Sequence, residues 1–428
     1  MTSREKGAFV WIWLDSRSDP VVCGRLEYRD GQLGFNYGKS YLGREDAVSI
    51  YEPELPSKPG RIDLLPRMEM PSCIRDGSPD AWGRRVIISQ VTGKKNDDIE
   101  FTELDELAYL LMSGSDRIGN LDFQESATDY KPRNESAASL DDLQKASELV
   151  DSGKPLPKEL DQALNRGSSI GGARPKAGIQ SDDKKYIAKF SSSTDTYSVV
   201  KAEYIAMRLA AKAGIKAAPV ALACAHGKDV LLIERFDRHL NGRDEWCRKA
   251  MVSSLTIFGI PEQEARYASY EELAEKIRHL FSNPRDTLHE LYRRMVFNIL
   301  VGNTDDHARN HAAFWDGRHL TLTPAYDICP QGRTGQEVSQ AMNIHGDNKL
   351  SQLGNCLAAR NAFQLSEVDA LGIMRSQVRA ILEHYPAVCQ EAGLSEVDQA
   401  FFWRRQFLNP YCFYDLPEPV DKEITEGL

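Results

Sequence analysis

The chain lacks long apolar runs. No stretch of its 428 residues approaches the roughly 20 apolar residues that a transmembrane helix requires. The apolar run at residues 8–14 is short, and no small-residue cleavage site follows it, so it predicts a first β-strand and not a signal peptide. We therefore expect a cytoplasmic protein with no membrane partner.

Cysteine pairs and excess positive charge are also missing. No two of the eight cysteines form a CxxC pair, and such scattered cysteines are typical of buried, reduced thiols. The formal net charge is -10 and the pI is about 5.5. Because phosphate binding relies on Lys and Arg, the chain by itself is a poor candidate for wrapping nucleic acid. A local basic patch or a basic partner could still bring it to DNA.

Several common motifs are absent as well. There is no HExxH sequence, and although His307 and His311 are four residues apart, no third metal ligand is obvious, which disfavours a zinc site. Residues 167–176, GSSIGGARPK, form a glycine loop that is neither a Walker A loop nor the GxGxxG loop of protein kinases. No internal repeat recurs at a fixed period.

Composition and periodicity divide the chain into four parts. The strand-like runs FVWIWL, VVCGRLEY, GQLGFNY and AVSIYE predict a small, mostly antiparallel sheet in the first part, residues 1–125. The polar stretch 126–166 predicts a linker that contains one helix, in DDLQKASELV. Residues 167–240 follow a β-loop-β-α-β-β order, which resembles the nucleotide-binding lobe of a kinase. Residues 241–428 are mostly helical.

The densest polar cluster, residues 303–311, follows the apolar run FNILVGN, and we call it the catalytic loop. Asp305 and Asn310 have the D-x-x-x-x-N spacing by which protein kinases place a catalytic aspartate and a metal-binding asparagine. Asp327 ends the segment LTLTPAYD, which predicts a strand that returns to the same place. The spacing alone is weak, because loops rich in Asp and Asn are usually turns. His307 is expected near a nucleotide, with a hydrogen-bonded loop histidine as the alternative.

A second group of candidates lies upstream. Lys189 is inside the apolar strand YIAKF, where a charge needs a partner or a use, and kinases place their phosphate-binding lysine in such a strand. Glu203 on the following helix is a candidate partner for it, although a surface glutamate fits the same pattern. Glu234 and Phe236 end a strand where a kinase hinge would contact adenine, or they are an ordinary strand end.

The glycine loop is the candidate phosphate-binding element of this upstream group. Backbone N–H groups around Gly171 and Gly172 could hold phosphates. By pattern alone, a flexible turn fits these residues equally well. The pattern therefore leaves both readings open.

Together these segments resemble the HipA family of toxin kinases. The resemblance is carried by SSIGGARPKA, YIAKF, LLIERFDR, NILVGNTDDHARNHAAFW and LTPAYDI, and by PDAWGR and GSDRIGNLDF in the N-terminal part. It covers about residues 1–400 and implies an α+β, bilobal, protein-kinase-like fold with a small N-terminal β-rich subdomain and a helical C-terminal lobe. The chain departs from familiar members at Asp306 and Pro175, which affects loop contacts and not the chemistry.

The resemblance implies a role for each candidate residue. Asp305 would be the catalytic aspartate, and Asn310 and Asp327 would bind magnesium. ATP would be contacted by Lys189, Glu234, Phe236, His307, Ser169, Gly171 and Gly172. The family phosphorylates itself on a serine before the glycine pair, here Ser169 or the adjacent Ser168. The added charge of about −1.5 to −2 ejects the loop from the ATP site, and Arg174 and Lys176 would then stabilise the ejected loop.

The same resemblance implies partners. Family members are neutralised by a HipB-like helix-turn-helix antitoxin, and they reach operator DNA through that complex. Their protein substrates include aminoacyl-tRNA synthetases such as the glutamyl enzyme, whose phosphorylation arrests growth and leads to persistence. Two other readings stay open: a small-molecule kinase of the aminoglycoside or choline type, and a catalytically dead kinase-like partner of a DNA-binding antitoxin.

Overall fold

The computed structural model describes residues 7–93, 104–133, 138–154, 168–181, 183–192, 195–333 and 335–417, together with residues 156, 157, 160, 164 and 424. Parts of the expected linker 126–166, and Gly167 in the glycine loop, lie outside the described residues. The chain divides into two compact units. The first unit comprises residues 1–194, 223–252 and 314–318, and the second comprises residues 195–222, 253–313 and 319–428.

The first unit begins with an antiparallel sheet. Its strands are β1 Gly7–Ile12, β2 Val21–Arg29, β3 Gln32–Tyr37, β4 Arg61–Ile62 and β5 Leu121–Gln124, in the order β4–β3–β2–β1–β5. The register places Ala8 opposite Leu26 and Leu26 opposite Phe35, and all three side chains are fully buried on one face. The predicted antiparallel sheet is therefore confirmed, with an alternating pattern that sets its buried face.

The prediction of a strand in AVSIYE, residues 47–52, is wrong. This segment is irregular, although Ile50 and Tyr51 are buried as a strand there would require. Tyrosine hydroxyls take the place of a neighbouring strand: the Val48 N–H donates to the Tyr41 hydroxyl (3.2 Å) and the Ile50 N–H to the Tyr37 hydroxyl (2.8 Å). Buried backbone groups must find partners, and side chains supply them here.

A second sheet lies mostly in the first unit. The helices of this part of the chain are α1 Lys39–Leu42, α2 Ser72–Arg75, α3 Ala81–Gly93, α4 Glu106–Met112 and α5 Leu140–Asp151. The strands β6 Lys176–Ser181, β7 Lys184–Phe190, β8 Val220–Ala225 and β9 Lys228–Glu234 form a sheet in the order β6–β7–β9–β8. Helix α5, expected from DDLQKASELV, begins at a capping box made by Ser139 and Asp142, and its Leu143 packs in one cluster with Phe190 and Val230.

The second unit is mainly helical. Its helices are α6 Val199–Lys212, α7 Ser254–Phe258, α8 Tyr270–Leu280, α9 Pro284–Leu300, α10 Leu353–Ala359, α11 Glu367–Glu391 and α12 Glu396–Phe402. Short 3-10 helices span Glu262–Tyr267, Ala308–Asn310, Arg360–Phe363 and Pro410–Phe413. Among the described residues, the remaining strands are β10 Arg238–Leu240, β11 Trp246–Arg248, β12 Met251–Ser253, β13 Ala312–Trp315 and β14 Leu320–Leu322.

Helix α9 carries the catalytic loop at its C-terminal end. Most of its residues from Thr287 to Leu300 are buried, and proline stands in its first turn, where the missing N–H costs nothing. The helix stops before Gly302, which has a φ of 70°. A Cβ atom there would lie 2.8 Å from the carbonyl oxygen of Gln406, so the close approach and the backbone angle both require glycine.

The cysteines and the strand before Asp327 can each be compared with the sequence prediction. All eight cysteines lie in the described part of the chain as free thiols, and Cys224 alone among them is exposed. The predicted strand at residues 320–327 is shorter than expected, because β14 covers Leu320–Leu322 and the chain then runs irregularly to Asp327. Among the described residues, no helix combines the length and apolarity needed to cross a bilayer.

Candidate active site

A buried carboxylate organises the catalytic loop in the second unit. Asp306 is 2% exposed, and its Oδ2 accepts hydrogen bonds from Asn298 Nδ2 (2.7 Å), His311 Nε2 (3.0 Å) and the Tyr270 hydroxyl. Burial alone would raise the pKa of Asp306, but the charge of His311 and the hydrogen bonds from His311 and Tyr270 outweigh it and hold the pKa below its usual value. Asp306 is therefore a structural anchor of the loop.

The neighbouring Asp305 has the opposite environment. Its side chain is exposed. Its pKa is raised, first by the atoms that partly desolvate it and then by the negative charges of Asp327 and Asp306, while His307 opposes the rise. The Asp305 and Asp327 carboxylates thus lie close enough to repel each other, as two groups on one phosphoryl-transfer site would.

Asn310 and Asp327 have the donor chemistry of a magnesium site. The Asn310 side-chain nitrogen donates to the Asp305 carbonyl oxygen (3.1 Å), which directs its amide oxygen away from that carbonyl. Asp327 has a φ of 59°, in the left-handed region that non-glycine residues seldom adopt. One carboxylate and one amide oxygen suit magnesium, which takes its other ligands from water and phosphate. Within the described residues, no group of three or more His, Cys, Asp or Glu side chains could hold a metal ion.

His307 supports the fold of the loop. Its Nδ1 accepts a hydrogen bond from the Arg309 N–H (3.2 Å) and caps the short helix Ala308–Asn310, so the ring proton is assigned to Nε2. Tyr326 donates its hydroxyl hydrogen to the Arg309 carbonyl oxygen (2.6 Å), which ties the segment before Asp327 to the loop. His311 Nε2 is hydrogen-bonded to Asp306 Oδ2 (3.0 Å), so its side chain already has a partner within the loop.

Lys189 lies on β7 in the first unit, as the sequence predicts. The register places it opposite Lys176 on β6, so both side chains project from the same face of the sheet. Lys189 is 8% exposed and Lys176 is 5% exposed. Because like charges directly opposite are destabilising, two ammonium groups on one buried face require compensating interactions, and the Gly171 carbonyl oxygen supplies one to Lys176.

The glycine loop is anchored by a segment that the sequence assigned no role in the site. The Gly172 N–H donates to Asp80 Oδ2 (2.9 Å), and the Trp82 N–H donates to the Gly172 carbonyl (3.1 Å). Lys176 Nζ donates to the Gly171 carbonyl oxygen (2.5 Å). Asp80 and Trp82 belong to PDAWGR, whose family resemblance was visible in the sequence while its contacts were not.

Ser168 and Ser169 are both buried in this conformation, with exposures of 0% and 2%. The Ser168 hydroxyl accepts the Gly114 N–H (2.9 Å). The Ser169 hydroxyl has no hydrogen-bond partner among the described residues. The two candidates for modification are therefore distinguishable, because Ser168 is tied to the N-terminal part of the chain and Ser169 is not.

The expected hinge follows β9 and alternates in burial. Glu234 and Phe236 are half-buried, whereas Arg235 and Asp237 are buried. Arg235 donates to both carboxylate oxygens of Asp237 (2.9 and 2.8 Å), and its Nη1 lies 3.2 Å from Asp116. This buried network fixes the strand end from one side, which leaves Glu234 and Phe236 on the other. Asp116 belongs to GSDRIGNLDF and was not among the sequence candidates.

Ion pairs with arginine keep the carboxylates of this network ionised. The arginines beside Asp116 and Asp237 hold both carboxyl pKa values below normal despite burial, that of Asp237 at about 2. The same surroundings lower the pKa of Lys185 to about 8, mainly because it is desolvated. The carboxylates therefore stay ionised at neutral pH, as buried partners of arginine must.

The structure distributes the candidates between the two units. The first unit holds Lys189, the hinge residues and the glycine loop, and the second holds Asp305, His307, Asn310 and Asp327. Glu203 lies on α6 in the second unit and is 2% exposed, so it is not a surface glutamate, while its pairing with Lys189 stays a prediction. Sequence reasoning missed Tyr270 and Asn298. Asn298 gave a signal, as a polar residue inside an apolar helix end, and Tyr270 gave none.

Two protein-family models match the chain. A family model described as the HipA-like C-terminal domain matches residues 168–392, more than half of the chain, and one described as the HipA N-terminal domain matches residues 12–124. The chain belongs to the HipA family. The resemblance inferred from the motifs is thus confirmed, and the segments that hold Asp80 and Asp116 lie within the HipA N-terminal domain match.

Individual relatives agree with HipA membership. A proposed kinase, Y4mE, of Sinorhizobium fredii is 26% identical over 339 residues, which cover 74% of this chain and 76% of that protein. The serine/threonine-protein kinase toxin HipA of Shewanella oneidensis is 26% identical over 183 residues, 37% of this chain and 42% of that protein.

A solved structure supplies the fold. HipA of Shewanella oneidensis MR-1, solved with HipB and its operator DNA, superposes with a TM-score of 0.67 and 17% identity, over 97% of this chain and 95% of that chain. At this identity the likeness shows the fold alone. The expected α+β, HipA-like fold is confirmed.

Proposed function

We propose that this HipA-family protein is an ATP- and magnesium-dependent serine/threonine protein kinase and the toxin of a HipBA-like toxin–antitoxin module. The observation that carries the proposal is the grouping of Asp305, Asn310 and Asp327 in the second unit. The Asn310 side chain is bonded to the Asp305 backbone, and the Asp305 carboxylate senses the charge of Asp327. Phosphoryl transfer needs a base and metal ligands grouped in this way, together with groups that hold the ATP phosphates.

Each group has a place in the reaction. Asn310 and Asp327 would hold Mg²⁺, which neutralises charge on the ATP phosphates when bound. Asp305 would accept the proton of the substrate hydroxyl as its oxygen attacks the γ-phosphorus, while the bond from that phosphorus to the β–γ bridging oxygen breaks and ADP leaves. The raised pKa of Asp305 supports this role, because it makes the carboxylate a better proton acceptor.

The upstream residues would bind the nucleotide. The buried pair Lys189 and Lys176 supports a phosphate-binding role for this face of the sheet. Glu234 and Phe236 would contact adenine, and Gly171 and Gly172 would contact phosphate through their N–H groups. In this assignment residues 1–125 form the HipA-type N-terminal subdomain, 126–166 a linker, 167–240 the nucleotide-binding lobe and 241–428 the catalytic lobe.

Self-phosphorylation is the direct test of kinase activity. Dephosphorylated protein is incubated with magnesium and ATP, its intact mass is recorded, and any phosphosite is mapped, with Asp305→Asn in parallel. We expect a gain of one phosphate at Ser169, with Ser168 as the neighbouring alternative, and no gain in the variant. ATP binding without a phosphoprotein would favour a small-molecule kinase, and absence of ATP binding would favour a catalytically dead partner of an antitoxin.

The partner and the substrate are tested separately. HipA of Shewanella oneidensis was solved with HipB and operator DNA, and we infer a similar helix-turn-helix antitoxin here, which would carry this acidic chain to DNA. Co-expression of that antitoxin should restore growth and retain the chain on operator DNA. An aminoacyl-tRNA synthetase, glutamyl first, is the proposed substrate. Its phosphorylation by wild-type protein and not by Asp305→Asn, with loss of tRNA charging, is the expected result.

A further inference from the structure

Residues 79–85 form a loop seat against which the glycine loop is packed, both within the first unit. Three hydrogen bonds join the seat to the loop. Asp80 accepts the Gly172 N–H, the Trp82 indole N–H donates to the Lys176 carbonyl oxygen (3.0 Å), and Arg85 donates to the Ala173 carbonyl oxygen (2.8 Å). These bonds join residues that are 88 to 94 positions apart in the chain. The loop conformation is therefore imposed by a remote segment.

Gly83 is the closest point of this packing. A Cβ atom built there would lie 2.1 Å from the carbonyl oxygen of Ser168 and 2.9 Å from its carbonyl carbon. Both are backbone atoms, so no side-chain rotation could relieve the overlap. Gly83 is inside helix α3, where alanine is the better residue for the helix itself. A methyl group at this position should thus favour the helix and expel the loop.

We propose that Gly83 and Asp80 are positioning residues that keep the glycine loop seated and thereby shield Ser169 from phosphorylation. Ser169 is 2% exposed and its hydroxyl is buried while the loop is seated, so the residue must leave the seat before its oxygen can reach the γ-phosphorus of ATP. The N-terminal part of the chain would then set how often Ser169 becomes available. The second half of this inference rests on the proposed kinase function, whereas the first half does not.

Hydrogen–deuterium exchange tests the seat without any catalysis. Amide exchange of residues 168–176 is measured in dephosphorylated, nucleotide-free full-length wild type, Gly83→Ala and Gly372→Ala. Gly372 is a matched control, since it lies inside helix α11 and a Cβ atom there meets nothing within 4 Å. We expect exchange at least ten-fold faster in Gly83→Ala and wild-type exchange in Gly372→Ala. Both variants should melt in a cooperative transition, and Gly83→Ala should lose only the stability contributed by the broken loop contacts. Unchanged loop exchange in Gly83→Ala would overturn the seat.

A transfer assay tests the shielding. The substrate chain carries Asp305→Asn and an isotope label, so that wild-type kinase must phosphorylate it in trans by the γ-phosphoryl transfer described above. Adding Gly83→Ala to this substrate should speed phosphate gain at Ser169 several-fold, and adding Gly372→Ala should not. Faster exchange without faster phosphorylation would overturn the shielding. If wild-type kinase phosphorylates no chain at all, the kinase function fails while the exchange result still decides the seat.

A second variant guards against misfolding. Asp80→Ala removes the acceptor of the Gly172 N–H and adds no atom. It should increase loop exchange in the same direction as Gly83→Ala and by a smaller factor. If Gly83→Ala does not fold, this variant alone decides the proposal, and wild-type exchange in it would overturn the seat.

Discussion

The glycine loop and the catalytic loop obtain their hydrogen bonds from different distances along the chain. The loop seat contacts the glycine loop from 88 to 94 positions away, and Gly114 bonds to Ser168 from 54 positions away. The catalytic loop is bonded largely within itself and to the end of the preceding helix: Asp306 to His311 and to Asn298, five and eight positions apart. The catalytic loop therefore carries its own geometry, whereas the glycine loop depends on the HipA N-terminal domain.

This difference has a functional meaning. A loop that is fixed mainly by nearby residues, with Tyr270 as its distant support, presents Asp305 in one position. A loop that is held by a remote segment can be released when that segment or its contacts change, as a switch requires. Four predictions test whether the two loops differ in this way.

The largest effect is expected at Asp305. Replacing it with asparagine should slow phosphoryl transfer by roughly 10³-fold, because the base is lost. The fold should be preserved, since the Asn310 bond goes to the backbone carbonyl of residue 305 and not to its side chain. The rate of phosphate gain by mass spectrometry and the melting temperature check this. A variant that melts far below wild type would mean that Asp305 is structural, like its neighbour.

Asp306→Ala should unfold the catalytic loop. Removing a buried, hydrogen-bonded carboxylate leaves Tyr270, Asn298 and His311 without their common acceptor. Breaking such a buried arrangement costs about 3–5 kcal/mol of unfolding free energy. Urea denaturation of the full chain measures the loss, with Asp305→Ala as the matched control that should cost far less. Equal losses in the two variants would contradict the distinct roles of these adjacent residues.

The sequence predicted the functional residues of the two loops but not the residues that hold these loops in place. The D-x-x-x-x-N spacing and the apolar strand around Lys189 were readable because the chemistry is encoded in neighbouring residues. The strands of the first sheet and helix α5 followed from local periodicity in the same way. The loop seat and the Tyr270 bond to Asp306 were not readable, because each joins segments remote in the chain. The strand prediction for AVSIYE failed for a related reason, because tyrosine hydroxyls and not a neighbouring strand accept the hydrogen bonds of its backbone N–H groups.

Lowering the pH should change the stability contributions of Asp305 and Asp306 in opposite directions. The pKa of Asp306 is lowered by folding, so its contribution to stability is complete above the unfolded pKa of about 3.9 and is lost as the pH falls through the folded pKa. The pKa of Asp305 is raised, so its contribution is present below about pH 3.9 and is lost as the pH rises through the folded pKa.

Melting temperatures measured between about pH 3 and pH 7 test both signs. Relative to wild type, Asp306→Asn should be least stable at neutral pH, with the deficit shrinking towards pH 3. Asp305→Asn should gain most stability relative to wild type at neutral pH, and this gain should shrink as the pH falls towards about 3. Parallel curves for the two variants would contradict the assigned pKa directions.

The smallest effects are expected at the serine pair of the glycine loop. Ser168→Ala removes the acceptor of the buried Gly114 N–H and should cost about 1–3 kcal/mol of unfolding free energy. Ser169→Ala removes a buried hydroxyl that has no partner among the described residues, so it should be neutral or slightly stabilising. If Ser169 is the modified residue, Ser169→Ala should also abolish phosphate gain while Ser168→Ala retains it. The reverse pattern in mass and stability would assign the modification to Ser168 and make Ser169 the structural member of the pair.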